Sequence, residues 1–207
     1  MNQEELVEQH KKSYQAAITQ HGDSLKSLYW ASYKTAAQRY KELLVDVNLE
    51  GKTILDVGCG TGNLIPYLLA KCDNFSYRGI DIMSEFISQA NTSYPGFNFA
   101  VADFWAKEYQ ETADIVVTCG TLNFAILDIG KRKEMVKKMF EQSKVATIFN
   151  MAGQHPIKKP LSKSGLIGYT DALEILNYCF TLTSKVVFRH HYHPNDFTIV
   201  LFHPQQK

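Results

Sequence analysis

Between Ile54 and Leu64 the chain reads Ile-Leu-Asp-Val-Gly-Cys-Gly-Thr-Gly-Asn-Leu, with Asp56 two residues ahead of Gly58, Gly60 and Gly62. Glycine tolerates positive φ and lets a ligand reach the backbone with no Cβ in the way, so this composition suits a binding loop. The spacing is not that of the dinucleotide fingerprint Gly-x-Gly-x-x-Gly, whose third glycine falls one residue later. A carboxylate beside the loop repels a pyrophosphate and pairs instead with a cationic amine or with hydroxyls. Asp81 lies roughly 20 residues beyond the glycines, the separation at which an acid in a βαβ unit accepts hydrogen bonds from both hydroxyls of a ribose. The competing use of Asp81 is a helix cap, since Met83-Ser84-Glu85-Phe86-Ile87 opens a helical pattern. For proton transfer, His155, His191 and His193 are the candidate imidazoles. Cys59, Cys72, Cys119 and Cys179 form no Cys-x-x-Cys and have no histidine at metal spacing, so they read as reduced, mostly buried thiols. Asp128 stands alone as an acid beyond the fourth strand, and no metal is expected.

The elements that must position these groups follow from periodicity. Residues 53–57 form a strand that ends in the glycine loop, and Leu64, Ile65, Leu68 and Leu69 start a helix. A second strand, 77–82, ends at Asp81; a helix from Glu85 and a Pro95-Gly96 turn lead to a third strand, 98–102, ending at Asp103-Phe104-Trp105. The continuous apolar run 113–119 suits a central parallel strand covered on both faces. Its exit, 119–124, therefore lies where ligands bind in open α/β sheets, and Asn123 is an amide able to donate and accept there or to make an Asx turn. In the helix 126–143, Met135, Val136, Met139 and Phe140 are expected inward, with Lys131, Arg132, Lys133, Lys137 and Lys138 outward and a Glu134–Lys138 pair. After a fifth strand, 145–151, residues 152–168 collect Gly153, Pro156, Lys158, Lys159, Pro160, Lys163, Ser164, Gly165 and Gly168 with little periodicity. A loop that long in a compact domain is usually functional, so it reads as a lid carrying His155 and ending at Tyr169. Thr170 or Asp171 then caps a helix through Cys179, and strands 185–192 and 197–202 joined by a tight turn must pair antiparallel. Ahead of all this, residues 1–47 are helical by pattern, broken at Gly22-Asp23, with a stripe of Ala36, Tyr40, Leu43, Leu44 and Val47. The chain thus divides into a helical extension, 1–47, and a domain, 48–207.

The stretch Asp56-Val57-Gly58-Cys59-Gly60-Thr61-Gly62 resembles the glycine-rich signature of the class I S-adenosylmethionine (SAM) dependent methyltransferases. Five parallel strands followed by a terminal antiparallel hairpin is also similar to that family's arrangement, and the likeness extends over about residues 50–203. It implies a Rossmann-like α/β fold with a seven-stranded, mostly parallel sheet, a C-terminal antiparallel hairpin and an N-terminal helical extension. It implies SAM as cofactor and S-adenosylhomocysteine (SAH) as product, a nucleoside with an ammonium and a sulfonium and no phosphate. On this resemblance Asp56, Gly58, Cys59, Gly60 and Gly62 meet the cofactor, Asp81 with Ile82 holds its ribose, and Asp103 takes the adenine amino group. Phe104 or Trp105 would pack on the purine, although an acid at a strand end also suits a plain turn. The extension would close over cofactor and acceptor, with Tyr29, Trp30 and Tyr33 offering aromatic faces to the sulfonium or simply packing on the domain. Arg39 would pair with the methionyl carboxylate or remain a solvated charge, and Cys119 would stand beside the transferable methyl group. Asn123, His155 and Tyr169 are the candidate catalytic residues. Asn123 lacks the Asn/Asp-Pro-Pro-Tyr setting of amino-group DNA methyltransferases, which counts against base methylation. Cys-Gly-Thr-Leu-Asn after the fourth strand and His-Pro-Asn-Asp-Phe-Thr at the hairpin look like a group of small bacterial methyltransferases.

A net charge of +1 supplies no global attraction for nucleic acid or an anionic membrane. The polar N-terminal region and the lack of an apolar run approaching ~18 residues predict neither a signal peptide nor a membrane span, and so a cytoplasmic protein. Together these features predict methyl transfer to O, N or S of a small-molecule acceptor by a monomer or homodimer. Methylation of RNA or protein is the second expectation, kept open by the lysine-rich helix and lid. SAM binding without turnover is the third.

Overall fold

The computed structural model describes residues 3–22, 24–30, 32–158, 161–162 and 165–204. Asp23 of the expected break and Lys159, Pro160, Lys163 and Ser164 of the expected lid lie outside the described residues. Among the described residues eight strands and six α-helices follow in chain order: α1 (Gln3–His21), α2 (Tyr33–Leu44), β1 (Lys52–Val57), α3 (Ile65–Leu69), β2 (Phe75–Asp81), α4 (Ser84–Ser93), β3 (Asn98–Val101), β4 (Ala113–Cys119), α5 (Ile129–Gln142), β5 (Ser143–Gln154), β6 (Thr170–Asp171), α6 (Ala172–Leu182), β7 (Val186–Arg189) and β8 (Asp196–Phe202). Short 3₁₀ turns at Leu25–Leu28 and Thr121–Asn123 complete the set.

The sheet runs β3-β2-β1-β4-β5-β8-β7, with the two-residue β6 paired to the end of β5 as an eighth strand. Strands β1 to β5 are parallel to their neighbours, whereas β8 is antiparallel to both β5 and β7. Chain order reverses between β1 and β4, so the crevice beyond their carboxyl ends is the place where the fold takes a ligand. Parallel strands covered on both faces need apolar side chains on both. Leu43, Leu44, Ile65, Leu68 and Ala90 pack one face from α2, α3 and α4; Met135, Val136, Met139 and Ile175 pack the other from α5 and α6.

Four local expectations are corrected. Arg132 is 5% exposed rather than on the outer face of α5, because its guanidinium is consumed by Phe124 O, Gly168 O and the Thr170 hydroxyl. Glu134 pairs with Lys131, while Lys138 Nζ donates to Ala106 O at 2.7 Å, so the i, i+4 pair does not form. Strand β5 continues through Gln154, which shortens the expected loop. The hairpin closes through residues 190–195, longer than a tight turn, and this connection carries site residues.

Candidate functional site

One cavity of about 490 Å³ opens at the carboxyl ends of β1, β2 and β4, within the roughly 300–1,000 Å³ range of small-molecule sites. Its floor is the glycine loop. Gly58 has φ +69° and a Cβ there would overlap the Thr121 hydroxyl, and Gly60 has φ +54° with Leu28 of the 3₁₀ turn packed where its Cβ would point. The Gly58 and Cys59 N–H groups donate to Ile80 O at 2.8 and 3.0 Å, which ties the loop to the neighbouring strand. Asp81 is held by two backbone donors: Gly60 N–H to Oδ2 at 2.9 Å and Met83 N–H to Oδ1 at 2.9 Å. Burial pushes its carboxyl up to about 6, and the N–H groups of Met83, Gly60 and Ile82 pull against that rise. Asp81 is thus both a cap and a cavity-lining carboxylate.

Gly58, Cys59, Gly60, Asp81, Ile82, Asp103, Phe104 and Cys119 all line the cavity, as do Tyr29, Trp30 and Arg39 from the N-terminal segment. Asp103 Oδ1 also accepts from Trp105 N–H at 2.8 Å, the strand-end turn realised together with the cavity position. Two loop residues are elsewhere. Asp56 is 3% exposed behind the loop, where it accepts the Tyr77 hydroxyl at 2.8 Å and does not line the cavity. Burial lifts its carboxyl to about 7, the Tyr77 hydroxyl opposes the rise and Asp81 adds to it. Strand alternation is the reason: Leu55 and Val57 pack in the core of one face, so the Asp56 side chain between them points to the other. Gly62 likewise leaves the cavity and allows close packing of Tyr94 and Phe99, where a Cβ would not fit.

The roof comes from α1 and the turn after it. His10 meets Phe124 edge-on at 4.4 Å, and Tyr14 packs on Phe86 at 5.5 Å and Phe124 at 5.2 Å. Burial drives His10 down to about 4, only partly offset by Asp103, so this imidazole is neutral at physiological pH. Tyr29 adopts φ 57° and donates its hydroxyl to Ser13 O at 2.6 Å, anchoring α1. Neither His10 nor Tyr14 was legible as a site residue; both look like ordinary members of a helical stripe.

On the side below the hairpin, Arg39 donates through Nε and Nη2 to the two oxygens of Asp196 at 2.9 and 2.8 Å, with its guanidinium 4.9 Å from the centre of the Trp30 ring. Asp196 is 1% exposed. His193 Nδ1 lies 2.9 Å from Asp196 Oδ2, and His193, Asn195 and Asp196 all line the cavity. Asn123 lines it too, but its Oδ1 accepts Ala152 N–H at 2.7 Å and its backbone O accepts Gly168 N–H at 2.8 Å, so it clamps the strand exits. Ser162, Ile167 and Tyr169 close the remaining wall. His155 does not line the cavity: its half-exposed ring pairs with Asp171 at 3.0 Å, drawn there by the cap of α6. Burial pushes the Cys119 thiol far up, which removes it as a nucleophile at neutral pH. Among the described residues no group of three or more His, Cys, Asp or Glu is arranged to hold a metal ion, and no helix is long and apolar enough to cross a membrane.

The cavity therefore presents three carboxylates, Asp81, Asp103 and Asp196, against one guanidinium already paired. Such a lining repels phosphates and suits a cationic nucleoside with aromatic cover. A family profile described as "Methyltransferase domain" matches residues 54–144. The "Putative methyltransferase 235L" of Invertebrate iridescent virus 6 is 26% identical over 138 residues, covering 61% of this chain and 50% of the viral protein. The chain thus spans about half the length of that relative. Among solved structures, the DhpI-SAM-HEP complex superposes with TM-score 0.73 at 15% identity, covering 97% of this chain and 99% of the other. Magnesium protoporphyrin IX methyltransferase (ChlM) from Synechocystis PCC 6803 with bound SAH superposes with TM-score 0.61 at 15% identity, covering 81% of each chain. At these identities the likeness is one of fold.

Proposed function

We propose that this chain, which matches a methyltransferase-domain profile over residues 54–144 and shares the fold of proteins solved with SAM or SAH, transfers a methyl group from SAM to O, N or S of a small-molecule acceptor. The observation that carries this reading is the meeting of a glycine cradle, Asp81 and Asp103 on one acidic cavity at the carboxyl edge of the sheet. The residues fit the cofactor. Gly58 and Gly60 let the loop turn with positive φ at the cavity floor, Asp81 keeps acceptor capacity for hydroxyls after its two backbone bonds, and Asp103 with Phe104 offers an acid and an aromatic face for a purine. When bound, SAM supplies an already activated methyl on a sulfonium whose leaving group is neutral. The protein's share is to hold the acceptor in line, exclude water and accept any proton lost. Trp30 and Tyr29 provide faces toward which a cation is drawn. Residues 1–47 serve as the closing extension over the domain 48–207, since Val7, His10 and Tyr14 of α1 sit on the cavity.

Support for a small acceptor is the enclosure: α1, the 3₁₀ turn, Ser162, Ile167, Tyr169 and the hairpin connection all contribute to the wall. DhpI was solved as a SAM-HEP complex, and ChlM is a magnesium protoporphyrin IX methyltransferase. Calorimetry with SAM and SAH, followed by transfer of labelled methyl to low-molecular-mass metabolites and to RNA and protein fractions, tests the reading. Micromolar SAH binding with label in the small-molecule fraction is expected, in the usual range for such substrates; label confined to macromolecules refutes the acceptor class.

A further inference from the structure

We infer that His193, oriented by Asp196, is the general base of this site, and that the acceptor is accordingly a hydroxyl-bearing small molecule methylated at oxygen. This rests on the methyltransferase reading. Of His155, His191 and His193, only His193 lines the cavity. Its Nδ1 faces two groups: the Asp196 carboxylate oxygen at 2.9 Å and the Asn195 N–H at 3.2 Å. A carboxylate only accepts, so an unprotonated Nδ1 would oppose its lone pairs, and the charge-assisted contact outweighs the longer neutral one. Nδ1 therefore carries the hydrogen, which leaves the lone pair on Nε2, the arrangement by which a carboxylate sets the tautomer of a catalytic imidazole.

Asp196 is itself immobilised. Arg39 engages both of its oxygens, and His190 Nδ1 lies 2.8 Å from its backbone carbonyl. The guanidinium also keeps a charged partner beside the buried acid, so the carboxylate is held for His193 rather than for a ligand. No hydrogen bond engages His193 Nε2 among the described residues, and the ring, 35% exposed, borders the cavity. Asn123, also on the cavity, is spent: its Oδ1 is bonded to Ala152 N–H, and an amide is not a base. A built dyad is of use to an acceptor that must lose a proton to become nucleophilic, as a hydroxyl must. In the step, Nε2 takes the hydroxyl proton and the freed oxygen pair forms the O–CH₃ bond. The carbon–sulfur bond breaks with its electron pair left on sulfur, and the imidazolium then gives its proton to water.

The test uses full-length protein, methyl-labelled SAM and a bacterial low-molecular-mass extract as acceptor pool. His193→Gln and His193→Ala are expected to bind SAH within about threefold of wild type while transfer falls by about 100-fold or more. Added imidazole should restore transfer by about tenfold or more in His193→Ala and leave His193→Gln unchanged, a response that a merely structural histidine would not give. Transfer by His193→Gln at more than about a third of the wild-type rate overturns the assignment, as does absence of imidazole rescue or label found only on nitrogen or sulfur. If the wild-type protein neither binds SAH nor labels the pool, the methyltransferase reading fails first and the dyad goes with it.

Discussion

Asp81 couples pH to ligand affinity, and the size of the coupling follows from its surroundings. Burial raises its carboxyl to about 6 against the pull of backbone N–H groups. In the unfolded chain the group returns to the ordinary carboxylate value near 4. Between those values the folded protein retains a proton that the unfolded chain has released. The raised value thus contributes stability that is fully present below about 4 and is lost as pH rises through about 6, on the order of 3 kcal/mol in all. Ligand binding has the opposite sign, because ribose hydroxyls donate to the ionised form. SAH affinity should then strengthen about tenfold between pH 5 and pH 7.5. Asp81→Ala removes the charge-assisted bonds to the ligand, about 1.5–3 kcal/mol, so affinity at pH 7.5 should drop by about 10–150-fold and its pH dependence should flatten. The variant also leaves the Gly60 and Met83 N–H groups without their acceptor, at about 1 kcal/mol each where cavity water can reach them. Relief of the buried charge offsets this at neutral pH, so Tm should move by no more than about 5 °C. Calorimetric titrations at several pH values on both proteins, with melting curves as control, read these quantities. A wild-type affinity that is flat from pH 5 to 7.5, or an Asp81→Ala protein that binds SAH within about twofold of wild type, refutes the reasoning.

Three further outcomes are expected. Gly58→Ala combines φ +69° with overlap of the Thr121 hydroxyl; it should cost about 2–4 kcal/mol and weaken SAH binding more than about tenfold, read by denaturant melts and calorimetry. Arg132→Met leaves Phe124 O and Gly168 O, now accepting at 3.1 and 3.2 Å, without their donor. A net loss of about 2 kcal/mol should lower Tm by about 4–8 °C, with faster hydrogen exchange at residues 165–170 if the clamp holds that wall. Tyr29→Phe deletes the 2.6 Å bond to Ser13 O; exchange across α1 should quicken about fivefold, for about 1 kcal/mol, while β1 is unaffected, and unchanged α1 protection would show that the hydroxyl does not anchor the roof.

Local pattern alone marked the strand-loop-helix at Asp56 to Leu64, the acids at the ends of the second and third strands, and the antiparallel terminal pair, because each is written in contiguous residues with a short period. The stripe of Ala36, Tyr40, Leu43 and Leu44 was legible for the same reason, and all four are buried. Which face a polar residue takes within such a pattern was not legible. Asp56 turned behind the loop and Arg132 turned inward because their partners, Tyr77 and the carbonyls of Phe124 and Gly168, are tens of residues away or lie in irregular chain. His155 and His193 are equivalent imidazoles in the sequence; folding pairs one with the α6 cap and sets the other on the cavity beside Asp196 and, 157 residues away in the chain, Arg39. The sequence by itself thus determined the layout of the sheet and the loop at its edge, since short-range hydrophobic period and glycine placement suffice for those. Only the tertiary structure decided which charges share the cavity, because that depends on contacts closed across the whole chain.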